Sequence, residues 1–167
     1  VSVSPASIGT DATLVDNAAI TSGDLGYIGE ALTLDGANDY AQTAGYKGIL
    51  GADARTVSLW VKPADAGNNY FSGWGGTASN TRYEFGLDTS TSVRLEYGGG
   101  GRNSTVPDLA DGSWHHVAMT LSSGTIVFYV DGVNQGSHAG LPINTTSLSD
   151  VLIGIDSTLN GARWFGG

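Results

Sequence analysis

The chain of 167 residues is long enough for one domain with a sizeable core, and the absence of cysteine excludes disulfides, thiolate metal sites and a cysteine nucleophile. Sixteen acidic against seven basic residues give a net charge of −9, which disfavours nucleic acid and supplies hard oxygen ligands for cations such as calcium. No apolar run reaches the roughly 20 residues that span a bilayer, so we expect no membrane partner.

Short segments of alternating apolar and polar residues, bounded by Gly, Asn and Asp, recur along the chain, which is typical of an all-β sandwich or barrel. The predicted strands are 30–34, 39–43, 56–62, 69–73, 82–88, 92–98, 114–121, 125–132, 133–137 and 150–156. The first 29 residues carry the least pattern, and we expect them to cover a sandwich edge as a short strand and a loop. No linker, repeat or charge block divides the chain, so residues 1–167 are predicted to form one domain.

Residues 114–137 predict a three-stranded meander, because the segments SSGT and Asp131-Gly132 suit tight turns. Two adjacent histidines open its first strand. His115 and His116 fall on opposite faces of a strand, so the two rings cannot ligate one metal ion together. His115 shares the core face, and we expect a half-buried ring with a hydrogen-bond partner.

Four segments in order carry a resemblance to a known family: IGEALTLDGANDYAQT, TVSLWVKP, DGSWHHVAMTL with the following TIVFYVDGVNQG, and DVLIGID. They resemble the motifs of LamG-like jelly-roll domains, within the concanavalin A-like lectin and glucanase superfamily. The resemblance implies an all-β fold, an antiparallel β-sandwich of the concanavalin A-like jelly-roll type. It does not select a function, because this superfamily holds glycan-binding modules, adhesion modules and glycosidases on one scaffold.

The sequence departs from the family pattern at its C-terminus. Family members usually continue past a motif similar to Arg163-Trp164-Phe165-Gly166 into another strand, whereas this sequence stops at Gly167. Two explanations stay open: truncation, or a strand supplied by a partner in trans. A sandwich lacking its last strand leaves unpaired backbone at a sheet edge, which invites strand addition.

The resemblance also points to a structural calcium ion at the segment DGANDY. Asp35 and Asp39 could offer hard oxygen ligands on either side of a glycine turn. The alternative is that both aspartates are turn formers that cap two strands.

Carbohydrate sites combine an exposed aromatic ring, on which a sugar stacks, with amide, carboxylate and guanidinium groups that bind hydroxyls. Two glycine-rich segments, 71–85 and 94–104, supply such residues. The candidates are Trp74, Asn80, Arg82, Tyr97, Arg102 and Asn103. If the two segments are neighbours, these side chains converge at one rim of a sheet. The alternative is that Trp74 covers the edge of the core.

Catalysis is not expected. A retaining glycosidase needs two carboxylates about 5 to 5.5 Å apart, and the usual E-x-D-x-E or E-x-D-x-x-E strand pattern is absent. Glu84 and Glu96 lie on neighbouring predicted strands, but we expect Glu84 to form an exposed ion pair with Arg82. The sequence therefore favours a non-catalytic module of a secreted or cell-surface bacterial protein that binds a polysaccharide or other glycan. The alternative is a module for protein interaction or adhesion.

Overall fold

The computed structural model describes residues 12–26, 29–159 and 163–167, and within 22–26 it describes the backbone alone. The strands of this part of the chain are β1 Ala12–Val15, β2 Ala19–Gly26, β3 Gly29–Thr33, β4 Tyr40–Thr43, β5 Arg55–Val61, β6 Asn69–Gly75, β7 Arg82–Thr89, β8 Ser92–Glu96, β9 Gly101–Thr105, β10 His115–Ser122, β11 Thr125–Val130, β12 Val133–His138 and β13 Val151–Ile153. No helix in the described ranges is long and apolar enough to cross a membrane.

The strands form two large antiparallel sheets and one small one. The first large sheet has the order β1-β4-β13-β6-β7-β8-β9, and the second has the order β12-β11-β10-β5. Strands β2 and β3 pair as a separate ribbon. The inner faces of the large sheets share one hydrophobic core, in which Phe85 of β7 stacks on Phe128 of β11 with ring centroids 5.9 Å apart. The predicted fold, an antiparallel β-sandwich of the jelly-roll type, is confirmed.

The predicted meander is confirmed as β10, β11 and β12. Both of its tight turns have two successive residues with positive φ: Ser123 (48°) with Gly124 (69°), and Asp131 (48°) with Gly132 (80°). This backbone matches the twist of the strands that each turn joins, which explains why a short polar segment suffices as a connection.

The two histidines lie on opposite faces of β10, as predicted. His115 is buried at 9% exposure and lies between two carboxylates, with its Nδ1 atom 2.9 Å from Asp131 and its Nε2 atom 3.2 Å from Asp111. His116 turns to the other face, where its Nε2 atom lies 2.7 Å from the hydroxyl of Ser58. The ring of His115 is therefore more buried than expected, and it has two partners.

Two parts of the sandwich differ from the sequence prediction. The segment before residue 30 contributes the two strands β1 and β2, whereas one short strand and a loop were predicted; residues 1–11, 27 and 28 of that segment lie outside the described residues. Strand β9 lies outside the predicted strands. Its residues GRNST are polar, and it forms an edge of the seven-stranded sheet by pairing with β8.

Candidate functional site

The loops that follow β6 and β8 lie against each other at one rim of the seven-stranded sheet. The backbone N–H of Asn80 donates to the carbonyl of Gly98 (2.9 Å), and that of Arg82 donates to the carbonyl of Tyr97 (3.4 Å). Gly98 has φ of +85°, and a Cβ atom there would lie 2.4 Å from the carbonyl oxygen of Ala78. This close approach of the two loops therefore requires glycine.

The two aromatic residues predicted to stack on sugar are buried. Trp74 is 5% exposed, packs on Tyr83 with ring centroids 5.1 Å apart, and donates its indole N–H to the carbonyl of Ile49 (3.0 Å). Tyr97 is 7% exposed, and the guanidinium of Arg102 lies 5.8 Å from the centre of its ring. Trp74 thus takes the alternative role, covering the core, and neither ring offers an open face to a sugar.

The remaining predicted carbohydrate residues divide between the two faces of the sheet. Asn103 of β9 pairs with Arg94 of β8, and both side chains lie on the outer face, away from the core. Arg82 lies on the same face at the start of β7. Arg102 lies on the inner side, over Tyr97, and Asn80 stays at the rim with φ of +66°.

The outer face carries a group of polar side chains that we name the outer-face cluster: Arg82, Glu84, Asp88, Arg94, Glu96 and Asn103. The carboxylate of Asp88 accepts a hydrogen bond from the Asn103 amide (2.7 Å) and lies 3.5 Å from the Arg94 guanidinium. Arg94 also donates to Glu96 at 2.7 Å. The side chains of Arg94 and Asp88 are 24% and 31% exposed, so they are held in place by one another and still accessible to a ligand.

Glu84 and Glu96 face each other across β7 and β8 as direct cross-strand partners. Glu84 is fully buried; one of its oxygens accepts hydrogen bonds from the N–H (2.7 Å) and the hydroxyl (2.5 Å) of Ser157. Its second oxygen has no hydrogen-bond partner and lies 3.7 Å from Arg82. Burial raises the pKa of Glu84 despite the bonds from Ser157. The predicted ion pair with Arg82 is present at 3.7 Å, but its expected exposure is wrong, because Glu84 is covered.

A pair of glutamates in different environments resembles the two carboxylates of a glycosidase, but the geometry offers neither to a substrate. Glu84 is closed off from solvent beneath Ser157. Glu96 is 7% exposed and uses both oxygens, accepting from Arg94 (2.7 Å) and from the N–H of Gly98 (2.9 Å). A catalytic acid or nucleophile must reach the scissile bond. Both glutamates therefore make hydrogen bonds within the protein, and neither carboxylate is placed to reach a substrate.

The residues predicted to bind calcium serve as turn formers in the described structure. Asp39 is 2% exposed, and its two oxygens accept the N–H groups of Asn17 (2.7 Å) and Asp35 (3.1 Å). One oxygen of Asp35 accepts the N–H groups of Ala37 (2.8 Å) and Asn38 (3.4 Å). Calcium takes six to eight oxygen ligands. Asp35 and Asp39 offer two carboxylates, fewer than that number, and no group of three His, Cys, Asp or Glu suited to a metal occurs among the described residues; the calcium site stays a prediction.

An aromatic pair on the same face of the sheet as the outer-face cluster was missed as a candidate site. Tyr40 and Trp164 are partly exposed, with ring centroids 6.0 Å apart. The neighbouring Arg163 donates to the hydroxyl of Tyr70 (3.0 Å) on the outer face of β6, while Phe165 enters the core. No local pattern signals that residues 124 positions apart in the chain meet, since only the strand order brings them together.

Comparison with known proteins agrees with this architecture. A family model described as the concanavalin A-like lectin/glucanases superfamily matches residues 35–167. No curated protein sequence matches the chain.

Several solved structures share the fold at low sequence identity. Domain 4 of AbnA, a GH43 extracellular arabinanase from Geobacillus stearothermophilus, in complex with arabinotriose, is 20% identical over 93% of this chain and 77% of that chain, with a TM-score of 0.69. The CBM40 of the Ruminococcus gnavus IT-sialidase, bound to α2,3-sialyllactose, is 11% identical over 70% and 72%, with a TM-score of 0.57. Domains LG4-5 of the mouse laminin α1 chain are 19% identical over 81% and 38%, with a TM-score of 0.58. At identities of 20% or less, these likenesses show the shared fold alone.

Proposed function

Because the chain belongs to the concanavalin A-like lectin and glucanase superfamily, we propose that it is a non-catalytic carbohydrate-binding module of a secreted or cell-surface protein. The family alone does not select this function, because one scaffold serves several. The observation that carries the proposal is the outer-face cluster, of which Asp88, Arg94 and Asn103 are accessible, on the same face of the sheet as the Tyr40–Trp164 aromatic pair.

The cluster has the chemistry that sugar hydroxyls need. Arg94 donates, Asp88 accepts, and Asn103 can do both, and their mutual contacts hold them in position before a ligand binds. Such preorganisation lowers the entropy cost of binding. The partly exposed rings of Tyr40 and Trp164 offer an apolar surface against which the C–H groups of a sugar ring can pack.

Two fold neighbours support glycan as the ligand class. The arabinanase domain was solved with arabinotriose and the sialidase module with sialyllactose. The arabinanase is extracellular, which supports a secreted or surface location. The buried state of Glu84 and the engaged oxygens of Glu96 support a binding role without hydrolysis.

Affinity electrophoresis through gels that contain plant, algal or bacterial polysaccharides tests the proposal. We expect one polysaccharide class to retard the wild-type chain. The Asn103→Ala variant should weaken retardation about fivefold to tenfold, because a lost ligand hydrogen bond costs about 1 kcal/mol.

The matched control is Asn134→Ala, an exposed asparagine on β12 of the other sheet, whose side chain also makes one intramolecular hydrogen bond. If Asn103→Ala and Asn134→Ala lose retardation equally, Asn103 does not lie at the binding site. No retardation by any polysaccharide would contradict carbohydrate binding itself.

A further inference from the structure

The second large sheet, β12-β11-β10-β5, has an outer face that is separate from the outer-face cluster, which lies on the other sheet. Inward positions such as Val117 and Phe128 are fully buried in the core, so the alternate positions point away from the sandwich. Strand register arranges these outward residues in three rows across the sheet. The rows are Trp60 with His116; Ser58 with Ala118, Tyr129 and Asn134; and Thr56 with Thr120, Val127 and Ser137.

Three adjacent strands each place one ring on this face, and we name the three the ring track: Trp60 on β5, His116 on β10 and Tyr129 on β11. Trp60 is 36% exposed, and the centre of its ring lies 5.3 Å from that of His116. Tyr129 is partly exposed and lies diagonal to His116, within reach of a ring side chain. Because two strand spacings separate the first ring from the last, the track is roughly 10 Å long.

The ring track is held in place by contacts within the protein. Nε2 of His116 lies 2.7 Å from the hydroxyl of Ser58, which orients the His116 ring against that of Trp60 at an angle of 59° between their planes. Ser58 and Ala118 have small side chains, so the rings rise above the middle of the face. A ligand therefore meets aromatic surfaces that are already arranged, which lowers the entropy cost of binding.

The face is uncharged, although the chain carries a net charge of −9. Within the three described rows, no side chain has a carboxylate, ammonium or guanidinium group. Lys62 and Asp131 follow the ends of β5 and β11, and the carboxylate of Asp131 turns to His115. Apart from the His116 ring, the polar groups of the rows are hydroxyls and one amide, which both donate and accept hydrogen bonds. An ionic ligand thus finds no opposite charge here.

The size of the face argues against a protein as its ligand. Three rows and four strands cover about 400 Å², including the margin that side chains add. A stable protein interface buries about 800 Å² on each partner around an apolar centre. The rows contain one aliphatic side chain larger than alanine, Val127. The face is therefore too small and too polar for such an interface.

A chain of sugars needs neither a large apolar area nor a charge. The C–H groups of sugar rings pack against aromatic surfaces, and sugar hydroxyls exchange hydrogen bonds with the hydroxyls of serine and threonine. Ser58 and Thr56 are exposed beside the ring track, and Thr120 is partly exposed. The face thus combines the two kinds of contact that an uncharged glycan makes.

We propose that the outer face of the β12-β11-β10-β5 sheet is a second glycan-binding surface, and that a chain of uncharged sugars lies on it across β5, β10 and β11, over the ring track. The class of ligand rests on the proposed function, whereas the residues do not, because the outer-face cluster lies on the other sheet. Strand β12 lies beyond the track, and the side chain of Asn134 turns back to the N–H of Gly136.

Affinity electrophoresis tests this surface with uncharged polysaccharides as probes: β-glucan, galactomannan and arabinan. We expect at least one of them to retard the wild-type chain, equally at low salt and at about 1 M salt, because no ion pair forms. Trp60→Ala and Tyr129→Ala should each weaken retardation about threefold to tenfold, the worth of one ring contact. Trp60→Phe keeps an aromatic ring and should retain most of the retardation.

The matched control is Tyr46→Ala, which removes a 49% exposed ring from the loop after β4. It should be retarded like the wild type. Because Trp60 and Tyr129 lie on different strands, a variant that fails to fold in a melting curve leaves the other as the test. Unchanged retardation of the folded ring variants, an equal loss in Tyr46→Ala, loss of retardation at high salt, or no retardation by any of the three polysaccharides would overturn the proposal.

Nuclear magnetic resonance locates the contact, because the chain has three histidines: His115, His116 and His138. The probe is a hexasaccharide prepared from the polysaccharide that gives the strongest retardation. We expect a saturable shift of the ring C–H signals of His116, which His116→Gln identifies by removing them. The signals of His138, whose ring packs on the core residue Phe128, should stay unchanged. Binding without a shift at His116, or an equal shift at His138, would contradict the proposed surface.

Asn103→Ala separates this proposal from the proposed function. If Asn103→Ala weakens retardation and Trp60→Ala leaves it unchanged, the outer-face cluster binds the glycan and the second surface is refuted. If Trp60→Ala weakens retardation and Asn103→Ala leaves it unchanged, the second surface is supported and the outer-face cluster is not the site. A loss in each variant and a larger loss in the double variant would support both surfaces.

Discussion

His115 makes folding stability sensitive to pH near neutrality. Burial lowers the pKa of His115, but the carboxylates of Asp131 and Asp111 together raise it by a larger amount. The net pKa therefore lies above 6.5. The protonated ring can donate from both nitrogens. Its stabilisation is complete below pH 6.5 and is lost as pH rises through the folded-state pKa. We expect the free energy of unfolding to fall in that window by at most about 1.4 kcal/mol per pH unit.

Urea unfolding of His115→Gln between pH 5.5 and pH 8.5, chosen to bracket the ordinary histidine pKa near 6.5, checks this expectation. The variant should lose the slope that the wild type shows. Asp131→Asn should flatten the same slope, because it removes the carboxylate 2.9 Å from Nδ1. A variant of His115 that retains the full slope would assign the pH dependence to another group.

Asp39 offers a second test at the scale of single residues. Asp39→Asn replaces one acceptor oxygen by a donor, which then opposes the N–H of Asn17 or of Asp35. We expect a loss of about 1–3 kcal/mol in the free energy of unfolding, the cost of an unsatisfied buried donor. Because the loss comes from amide contacts, it should be the same in calcium and in chelator. A loss confined to calcium buffer would instead favour the calcium prediction.

At the scale of strands, Glu84 and Glu96 face each other across β7 and β8, and the two carboxylates respond differently to neutralisation. The folded-state pKa of Glu84 is raised above 4.5 by burial, so its ionisation destabilises the fold as pH rises through that value. Glu84→Gln keeps an acceptor for Ser157 and removes the buried charge. We expect a gain on the order of 1 kcal/mol at pH 7.

The matched variant is Glu96→Gln, which should be destabilising at the same pH. Glu96 accepts from Arg94 and from the N–H of Gly98, and the amide retains a single acceptor atom. Chemical denaturation at pH 7 and at pH 4 compares the two. The gain of Glu84→Gln should shrink sharply at pH 4, where the carboxyl is mostly protonated in both states. The same gain at both pH values would refute the explanation by charge.

Strands differed in how well the sequence predicted them. β10 was placed correctly because its apolar positions alternate with polar ones, and the same alternation put His115 and His116 on opposite faces. Strand β6 is buried on both faces along its whole length, so alternation could not show which way Trp74 points. Strand β9 has no apolar residue, and its pairing with β8 alone makes it a strand.

For the molecule as a whole, the sandwich could be predicted because its motifs lie in order along the chain. The site could be predicted only in part. Arg82 and Asn103 were identified and do lie on the outer face, but Asp88 and Arg94 join them through strand register, which local pattern does not reveal. Trp164 reaches Tyr40 across the length of the chain. Long-range placement of this kind is decided by packing of the whole sandwich.

The opposing pKa shifts predict where the whole molecule is most stable. Hydrogen bonds from Lys47 and Gln42 lower the pKa of Asp150 from 3.8 to about 2, so its contribution is present above pH 3.8 and lost as pH falls toward 2. Asp131 also has a lowered pKa, because burial, which raises it, is outweighed by the hydrogen bonds from His115 and from the N–H of His116 together with the charges of both rings. Glu84 and His115 have raised pKa values, so the folding stability that each contributes in its protonated form is lost as pH rises.

Melting temperatures measured across pH should therefore peak between about pH 4 and pH 6.5, the interval between the ordinary pKa values of Asp and His. The sequence pI of 4.4 lies in this interval, so charge repulsion is also smallest there. Combining Glu84→Gln with His115→Gln should move the maximum toward neutral pH. The double variant no longer loses stability through ionisation of Glu84 or deprotonation of His115 as pH rises. A maximum that stays in place in the double variant would show that overall charge repulsion, and not these two groups, sets the optimum.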